Sequence, residues 1–510
     1  MIKVIIPFLF LLISGNTIGQ DQFCKLLPGW STTNVFEKDS LYYSINRGME
    51  GYAQNHFQFA TLSLEGEIIE EWEFDIDTLF NLVSFHTNNL SDVNNSHFIS
   101  ATIQDTTFKA FGAFIKYNAD FSDTLYFKVY DLYPGNGTMF FCHTKINDNK
   151  FIIGGRFRNV QDIMYSSLIE VDSLGEINWR RNFFCWDDCW ISPYQILLSS
   201  DGGYFFVCHE IQLPVPSIQH VKTVIIKTDS IGIEQYRLHP GPEEYFAVPG
   251  WMIPTDDGNY LYAFSETDTI TSYLPQYNPS QSIWIHKINL EGDSIFHINL
   301  FDQLPLYDGL YPYNYTIKQM IKADNGDIII IGSILYYKAF ILNITQNGLI
   351  NWVRLYDAPF EGSMFNESET SFNSISKTSD VGYIIGGEFL GYSIPQYPQG
   401  LQSAFILKLD EYGCFEPGCH LADVLQEISV DKYDVKIFPN PVSKELTIIP
   451  ELTQLKYTLK VININGQQVL FSPSQIETTI VDVSNLTPGI YLLQLDFENG
   501  ERAIKKFVKE

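Results

Sequence analysis

The stretch Asp201-Gly202-Gly203-Tyr204-Phe205-Phe206-Val207 reads as a tight turn running into a strand. Asp-Gly closes a hairpin because glycine accepts a positive φ without steric cost. The aromatic and β-branched run behind it suits a pleated, half-buried surface. The same order returns at Asp257-Gly258-Asn259-Tyr260-Leu261-Tyr262-Ala263 and at Asp380-Val381-Gly382-Tyr383-Ile384-Ile385-Gly386-Gly387. Fainter copies are Asp39-Ser40-Leu41-Tyr42, Asn95-Ser96-His97-Phe98 and Asp148-Asn149-Lys150-Phe151, and Asp324-Asn325-Gly326-Asp327 precedes Ile328 with Asp in the aromatic place. The aromatic position falls at residues 42, 98, 151, 204, 260, 327 and 383, at steps of 56, 53, 53, 56, 67 and 56.

Each copy leads into a second apolar strand and a turn that usually ends in Gly, as in Ala404 to Gly413, Ser167 to Gly175 and Val224 to Gly232. Another strand follows, often with a Trp, as at Trp179 and Trp352. Such a unit has the size of a four-stranded propeller blade. A solenoid would use shorter repeats, and a sandwich needs more residues than one unit holds. The fold expected over residues 20–420 is therefore an all-β propeller of about seven blades.

The composition agrees with export. Lys3, the apolar run Val4 to Ile13 and the small residues at Thr17-Ile18-Gly19 have the order of a signal peptide, residues 1–19, cleaved to leave Gln20. No later stretch approaches the roughly 18 apolar residues of a membrane span, so none is expected in the mature chain. The net charge is −28. Such acidity argues against nucleic acid and anionic lipid as partners. Residues 429–510 hold nine Lys and Arg against ten Asp and Glu, so nearly all of the acid excess lies before them.

After a linker, residues 421–434, a different β pattern occupies 435–510. It opens at Phe438-Pro439-Asn440-Pro441 and continues through the strand Tyr457 to Ile464, the turn Asn465-Gly466, the element Leu486-x-x-Gly489-x-Tyr491 and the basic end Lys505-Lys506. About seven short strands in so few residues make a small Ig-like β-sandwich. In this order the motifs resemble the type A C-terminal sorting domain of the type IX secretion system of Bacteroidetes. Asn463 stands where Asp is commoner in that family, and Gln467 where Lys is commoner. The resemblance implies two partners, the outer-membrane translocon and its processing peptidase. It also implies a route through the periplasm to the outer surface or beyond.

Seven cysteines remain in the exported chain. Cys185 and Cys189 form one close pair and Cys414 and Cys419 another, and outside the cytosol such pairs favour disulfides. Neither is accompanied by a second ligand pair at zinc spacing, so no metal is expected. Cys24, Cys142 and Cys208 have no assigned partner. There is no phosphate-binding loop, no His-Glu-x-x-His and no Gly-x-Ser-x-Gly. No catalytic residue and no cofactor are assigned.

Trp186, Asp187, Asp188 and Trp190 are candidate ligand contacts: two indoles to stack on a sugar and two carboxylates to accept its hydroxyls. The alternative is a capped loop with Trp in the core. The sequence thus predicts a non-enzymatic extracellular binding or scaffold protein, with a glycan or protein as ligand. The alternative is a hydrolase or lyase acting on polysaccharide with paired carboxylates in the propeller funnel.

Overall fold

A computed structural model describes residues 22–415, Cys419 and 435–510. Excepted are residues 28–30, 51–53, 75–79, 85–89, 94–95, 133–136, 159–163, 185–188, 213–219, 241–246, 268–280, 301–303, 305–314, 335–337, 357–368, 391–401, 451–455, 464–467, 477 and 498–501. The chain divides into two compact units, Met1–Phe415 and Glu416–Glu510.

Among the described residues the first unit holds seven antiparallel sheets. The first is Ser31–Lys38, Leu41–Glu50, Gln54–Leu62 and Ile68–Phe74, paired in chain order. The next five occupy residues 80–130, 138–183, 189–238, 247–299 and 315–356. The seventh joins Glu369–Lys377, Tyr383–Leu390 and Gln402–Leu409 to the N-terminal strand Cys24–Leu27, whose register sets Cys24 against Leu407 and Leu27 against Ala404. Each sheet packs on the next, and the seventh packs on the first, so the ring closes. Closure through a strand from the far end of the chain ties the first sheet to the last. The unit is a β-propeller.

The aromatic repeat position lies at the start of the second strand in every sheet. Tyr42, Phe98, Phe151, Tyr204, Tyr260 and Tyr383 are buried there, and Ile328 takes the place beside Asp327. The Asp-Asn-Gly-Asp stretch at 324–327 is a hairpin turn: the Gly326 N–H donates to Ala323 O at 3.1 Å.

Every first strand carries an irregularity in its pairing with the second. The register shifts between Thr32 and Asn34, Leu82 and Ser84, Phe140 and Cys142, Pro193 and Gln195, Val248 and Trp251, Ile317 and Gln319, and Phe372 and Ser374. A bulge leaves backbone groups without a ladder partner. The neighbouring sheet supplies one: Met252 N donates to Gln195 Oε1, Ile375 N to Gln319 Oε1 and Val35 N to Ser374 Oγ. A bulge residue, Tyr194, donates from its hydroxyl to Ile317 O two sheets away.

The outer strands are latched onto the neighbouring sheet. Tyr130 Oη donates to Gly175 O, Tyr236 Oη to Leu290 O, Tyr356 Oη to Gly413 O and Trp72 Nε1 to Phe121 O. Each acceptor lies in the turn after the third strand of the next sheet. At Gly413 φ is +67°, and an added Cβ would sit 2.7 Å from the Trp352 ring. That turn needs glycine both for its backbone and for the indole that covers it.

Three lysines on third strands are buried: Lys227, Lys287 and Lys408. Each meets the Asp of its own repeat turn, Asp201 at 2.8 Å, Asp257 at 2.7 Å and Asp380 at 2.9 Å. Burial alone would raise the Asp201 carboxyl. The Lys227 ammonium, the Ser199 hydroxyl and the Gly203 N–H outweigh it and hold the group at about 2. The turn Asp thus closes the hairpin and neutralises a cation that would otherwise be costly to bury.

Candidate ligand-binding cleft

The cleft lies between the second and third sheets. Thr107, Phe108, Lys109 and Ala110 come from the turn joining Ser96–Asp105 to Ala110–Asn118. Met139 lies on the inner strand Thr138–Asn147, Arg156, Phe157 and Arg158 end the strand Lys150–Arg158, and Met164 begins the strand Met164–Asp172. The volume is about 580 Å³, which suits a small ligand or a few sugar units.

The lip is built rigidly. Asp105 Oδ1 accepts from Thr107 N at 2.8 Å, Thr107 Oγ1 at 2.7 Å and Lys109 N at 3.0 Å. The Thr107 hydroxyl, followed by the two amides, holds the Asp105 carboxyl below its ordinary range. Phe108 N donates to Asp105 O, and Gln104 Nε2 donates to Phe108 O. Held this way, Phe108 has φ +67° and is 81% exposed. A non-glycine residue in the left-handed region is strained, and a bare phenyl ring in water gains nothing from burial. A functional contact at this position would account for both.

The wall is cationic. Lys109 Nζ pairs with Asp131 Oδ2 and lies 4.8 Å from the Phe111 ring centroid. The Arg156 guanidinium lies 5.1 Å from the Phe141 ring and 5.4 Å from the Trp190 ring, and donates to Met139 Sδ. Burial, and then the like charge of Arg158, lowers its pKa.

Of the sequence-predicted contacts, Trp190 therefore stands beside the cleft, stacked on one of its cations. Trp186, Asp187, Asp188 and Cys185 lie outside the described residues. Cys189, Cys414 and Cys419 are disulfide-bonded, while Cys24, Cys142 and Cys208 are free thiols. His143 Nδ1 bonds Ser100 Oγ at 3.0 Å, the His209 ring packs on Tyr194, and Glu210 meets His239. Among the described residues no cluster of three or more His, Cys, Asp or Glu could hold a metal. No helix there is long and apolar enough to cross a membrane.

The second unit is a sandwich of two sheets. One pairs Val435–Phe438, Glu445–Pro450 and Thr479–Asp482. The other pairs Gln468–Gln475, Tyr457–Asn463, Gly489–Phe497 and Arg502–Lys509. Its opening motif clamps the end of the chain. Asn440 Nδ2 donates to Lys506 O, and Val508 N donates to Asn440 Oδ1. Val442 N donates to Val508 O, and Glu510 N to Val442 O. The Phe438–Pro439 and Asn440–Pro441 peptide bonds are both cis, and the chain bends through residues 439–441 before Val442 bridges to that strand. Tyr491 stacks on Phe507 and donates to Thr487 O, while Leu486 packs on the core from one side. Lys506 stays exposed on the strand whose Phe507 is buried. Gly466 lies outside the described residues.

Residues 436–510 match the model of the secretion system C-terminal sorting domain family. This unit is a type IX secretion C-terminal sorting domain. The sorting domain marks the chain for export to the cell surface or for secretion. No curated protein sequence matches the chain. Among solved structures, a PL25 ulvan lyase bound to -[GlcA(1-4)Rha3S]- is 9% identical with a TM-score of 0.51, over 79% of this chain and 98% of that one. The polysaccharide lyase Uly1 is 10% identical with a TM-score of 0.43, over 76% and 91%. An α-L-arabinanase of Penicillium chrysogenum complexed with arabinobiose is 11% identical with a TM-score of 0.37, over 63% and 92%. The first likeness is one of fold.

Proposed function

We propose that this chain is an exported propeller that binds an extracellular saccharide in the cleft between its second and third sheets, without catalysing a reaction on it. The observation that carries the reading is Phe108, a strained and solvent-facing ring fixed at the lip of a preformed cleft. A flat apolar ring beside polar donors suits the C–H face and hydroxyls of a sugar. The Trp190 ring lies 5.4 Å from the Arg156 guanidinium of the wall. A solved structure of this fold, an ulvan lyase, is bound to -[GlcA(1-4)Rha3S]-, which supports a saccharide as the ligand class.

The binding reading is favoured over glycoside hydrolysis by the lining. Hydrolysis needs two carboxyl groups facing one bond. Among the described residues, those lining this cleft are cationic, apolar or hydroxylic. The test is affinity electrophoresis of the full chain through gels cast with a panel of polysaccharides. At least one polymer should retard the protein, and Phe108→Ala should abolish that retardation while leaving thermal unfolding unchanged. Retardation unaffected by Phe108→Ala would remove the cleft from the account. Release of reducing ends, or of unsaturated sugar absorbing in the ultraviolet, would make the protein an enzyme.

A further inference from the structure

We propose that the cleft is the inner end of a longer groove, which continues outwards over Tyr165 and Phe184 and takes an internal stretch of a polysaccharide rather than a chain end or a single sugar. The inference rests on the saccharide reading above and adds a second contact site and the length of the ligand.

A row of rings across the third sheet follows from its strand register. Phe157 pairs with Tyr165, and Ser166 pairs with Phe183. One step further along, Tyr165 meets Phe184, with ring centroids 5.1 Å apart and an interplanar angle of 70°. Phe157 belongs to the core between the second and third sheets, with Phe98, Phe114 and Phe140. Phe183 packs the other way, on Phe206 of the fourth sheet. Successive side chains of a strand point to opposite faces, so Phe184 turns towards the second sheet with Phe157 and Tyr165. Neighbouring strands lie about 4.8 Å apart, so the three rings step across roughly 10 Å of the sheet. The row starts in the cleft itself, because Phe157 lines it and so does Met164, the neighbour of Tyr165.

Exposure marks both ends of this groove. Among the described residues of the first unit, Phe108 and Phe184 are the two phenylalanines left exposed, at 81% and 51%. Phe108 follows the second strand of the second sheet, and Phe184 follows the outer strand of the third. In an antiparallel sheet paired in chain order, the second and fourth strands end on the same side. The two rings therefore stand on one rim, on either side of one gap. A single exposed apolar side chain needs no explanation, whereas two phenyl rings so placed mark a contact surface. Phe184 is also fixed in advance. Its carbonyl accepts from Arg237 Nη1 at 2.7 Å, and Arg237 is held by Glu234 through Nε at 2.6 Å and Nη2 at 2.8 Å. A ring set in place beforehand loses little freedom on binding. Phe108 and Phe184 can each cover the C–H face of a different unit of one glycan, and two contacts on one chain reinforce each other. A fragment too short to reach both gains from one only.

The probes are xylan, laminarin, galactomannan and alginate, each with its own oligosaccharides from the disaccharide upwards. The full chain is run through gels cast with each polymer, and the oligosaccharides of every polymer that retards it are then titrated by calorimetry. Affinity should rise with oligosaccharide length until the fragment reaches from Phe108 to Phe184, and then level off. Phe184→Ala should weaken the long oligosaccharides about tenfold, the loss of one stacked ring, and so flatten the rise with length. Phe184→Trp should keep the rise, and Phe108→Ala should weaken every length. Thermal unfolding of the three variants checks the fold. A rise with length unaltered by Phe184→Ala, in a protein whose binding Phe108→Ala abolishes, would overturn the groove and leave the saccharide reading standing. An affinity that no longer grows beyond the shortest oligosaccharide bound would do the same. Retardation by none of the four polymers, or binding indifferent to Phe108→Ala, would overturn both.

Discussion

Replacing Asp380 with Asn should destabilise the propeller more than any other change to a repeat turn. Lys408 Nζ is fully buried and pairs with Asp380 Oδ2 at 2.9 Å, with Leu409 O as a second acceptor at 2.9 Å. Asp380 is itself only 9% exposed, so water cannot replace it readily. The variant keeps the shape of the side chain and strands an ammonium ion in the seventh sheet. Removing one partner of a buried pair costs about 3–5 kcal/mol. The same change at Asp201 and Asp257, which are 33% and 52% exposed, should cost progressively less because solvent screens the remaining lysine. All eight tryptophans precede residue 416, so urea unfolding followed by tryptophan fluorescence reports the first unit alone. Asp380→Asn combined with Lys408→Met should recover most of the loss, since a buried pair is often replaceable by apolar packing. A single-variant loss under about 1 kcal/mol, or a reversed ranking of the three positions, would refute the reasoning.

Acid sensitivity should be visible well above the carboxylate range. His143 is buried and its pKa is lowered by that burial to about 3, so the folded state keeps it neutral while the unfolded chain protonates it near 6.5. Stability should therefore fall as the pH drops from about 6.5 towards 3, at up to about 1.4 kcal/mol per unit, and His143→Asn should flatten that part of the urea-midpoint profile. Mass spectrometry of unreduced peptides should recover Cys414 joined to Cys419; free thiols at both would contradict the pairing. Deletion of residues 430–510 should leave a first unit with unchanged tryptophan-detected unfolding that accumulates in the periplasm, and its appearance at the cell surface would contradict the assigned division of labour.

The repeat was legible because its signals are local. Asp-Gly turns and the aromatic that follows lie within a few residues of one another, and they mark the second strand of every sheet correctly. The motif Phe438 to Pro441 was legible as an ordered family signature, but its role in clamping Lys506 and Val508 depends on a contact 66 and 68 residues away. The same distance problem hid the latches, since Tyr130, Tyr236 and Tyr356 donate to turns 45, 54 and 57 residues downstream. The buried lysines had a readable signal. Lys227, Lys287 and Lys408 hold corresponding places in the third strands, yet a charge inside an apolar run is easily taken for an exposed edge. The cleft had almost none. Phe108 and Arg156 belong to different repeats, and nothing in composition distinguishes an aromatic forced into solvent from one in the core. The oddity of the Trp190 neighbourhood was legible in the sequence, but its stacking on Arg156, which belongs to another repeat, was not.

The most direct test of the cleft as the ligand site is hydrogen exchange on the full chain, with and without an oligosaccharide of whichever polymer retards it. The account predicts added protection in the turn at 105–110 and the strand end at 156–158, with little change in the other sheets. Protection confined to another part of the ring, with those two segments unaltered, would contradict it.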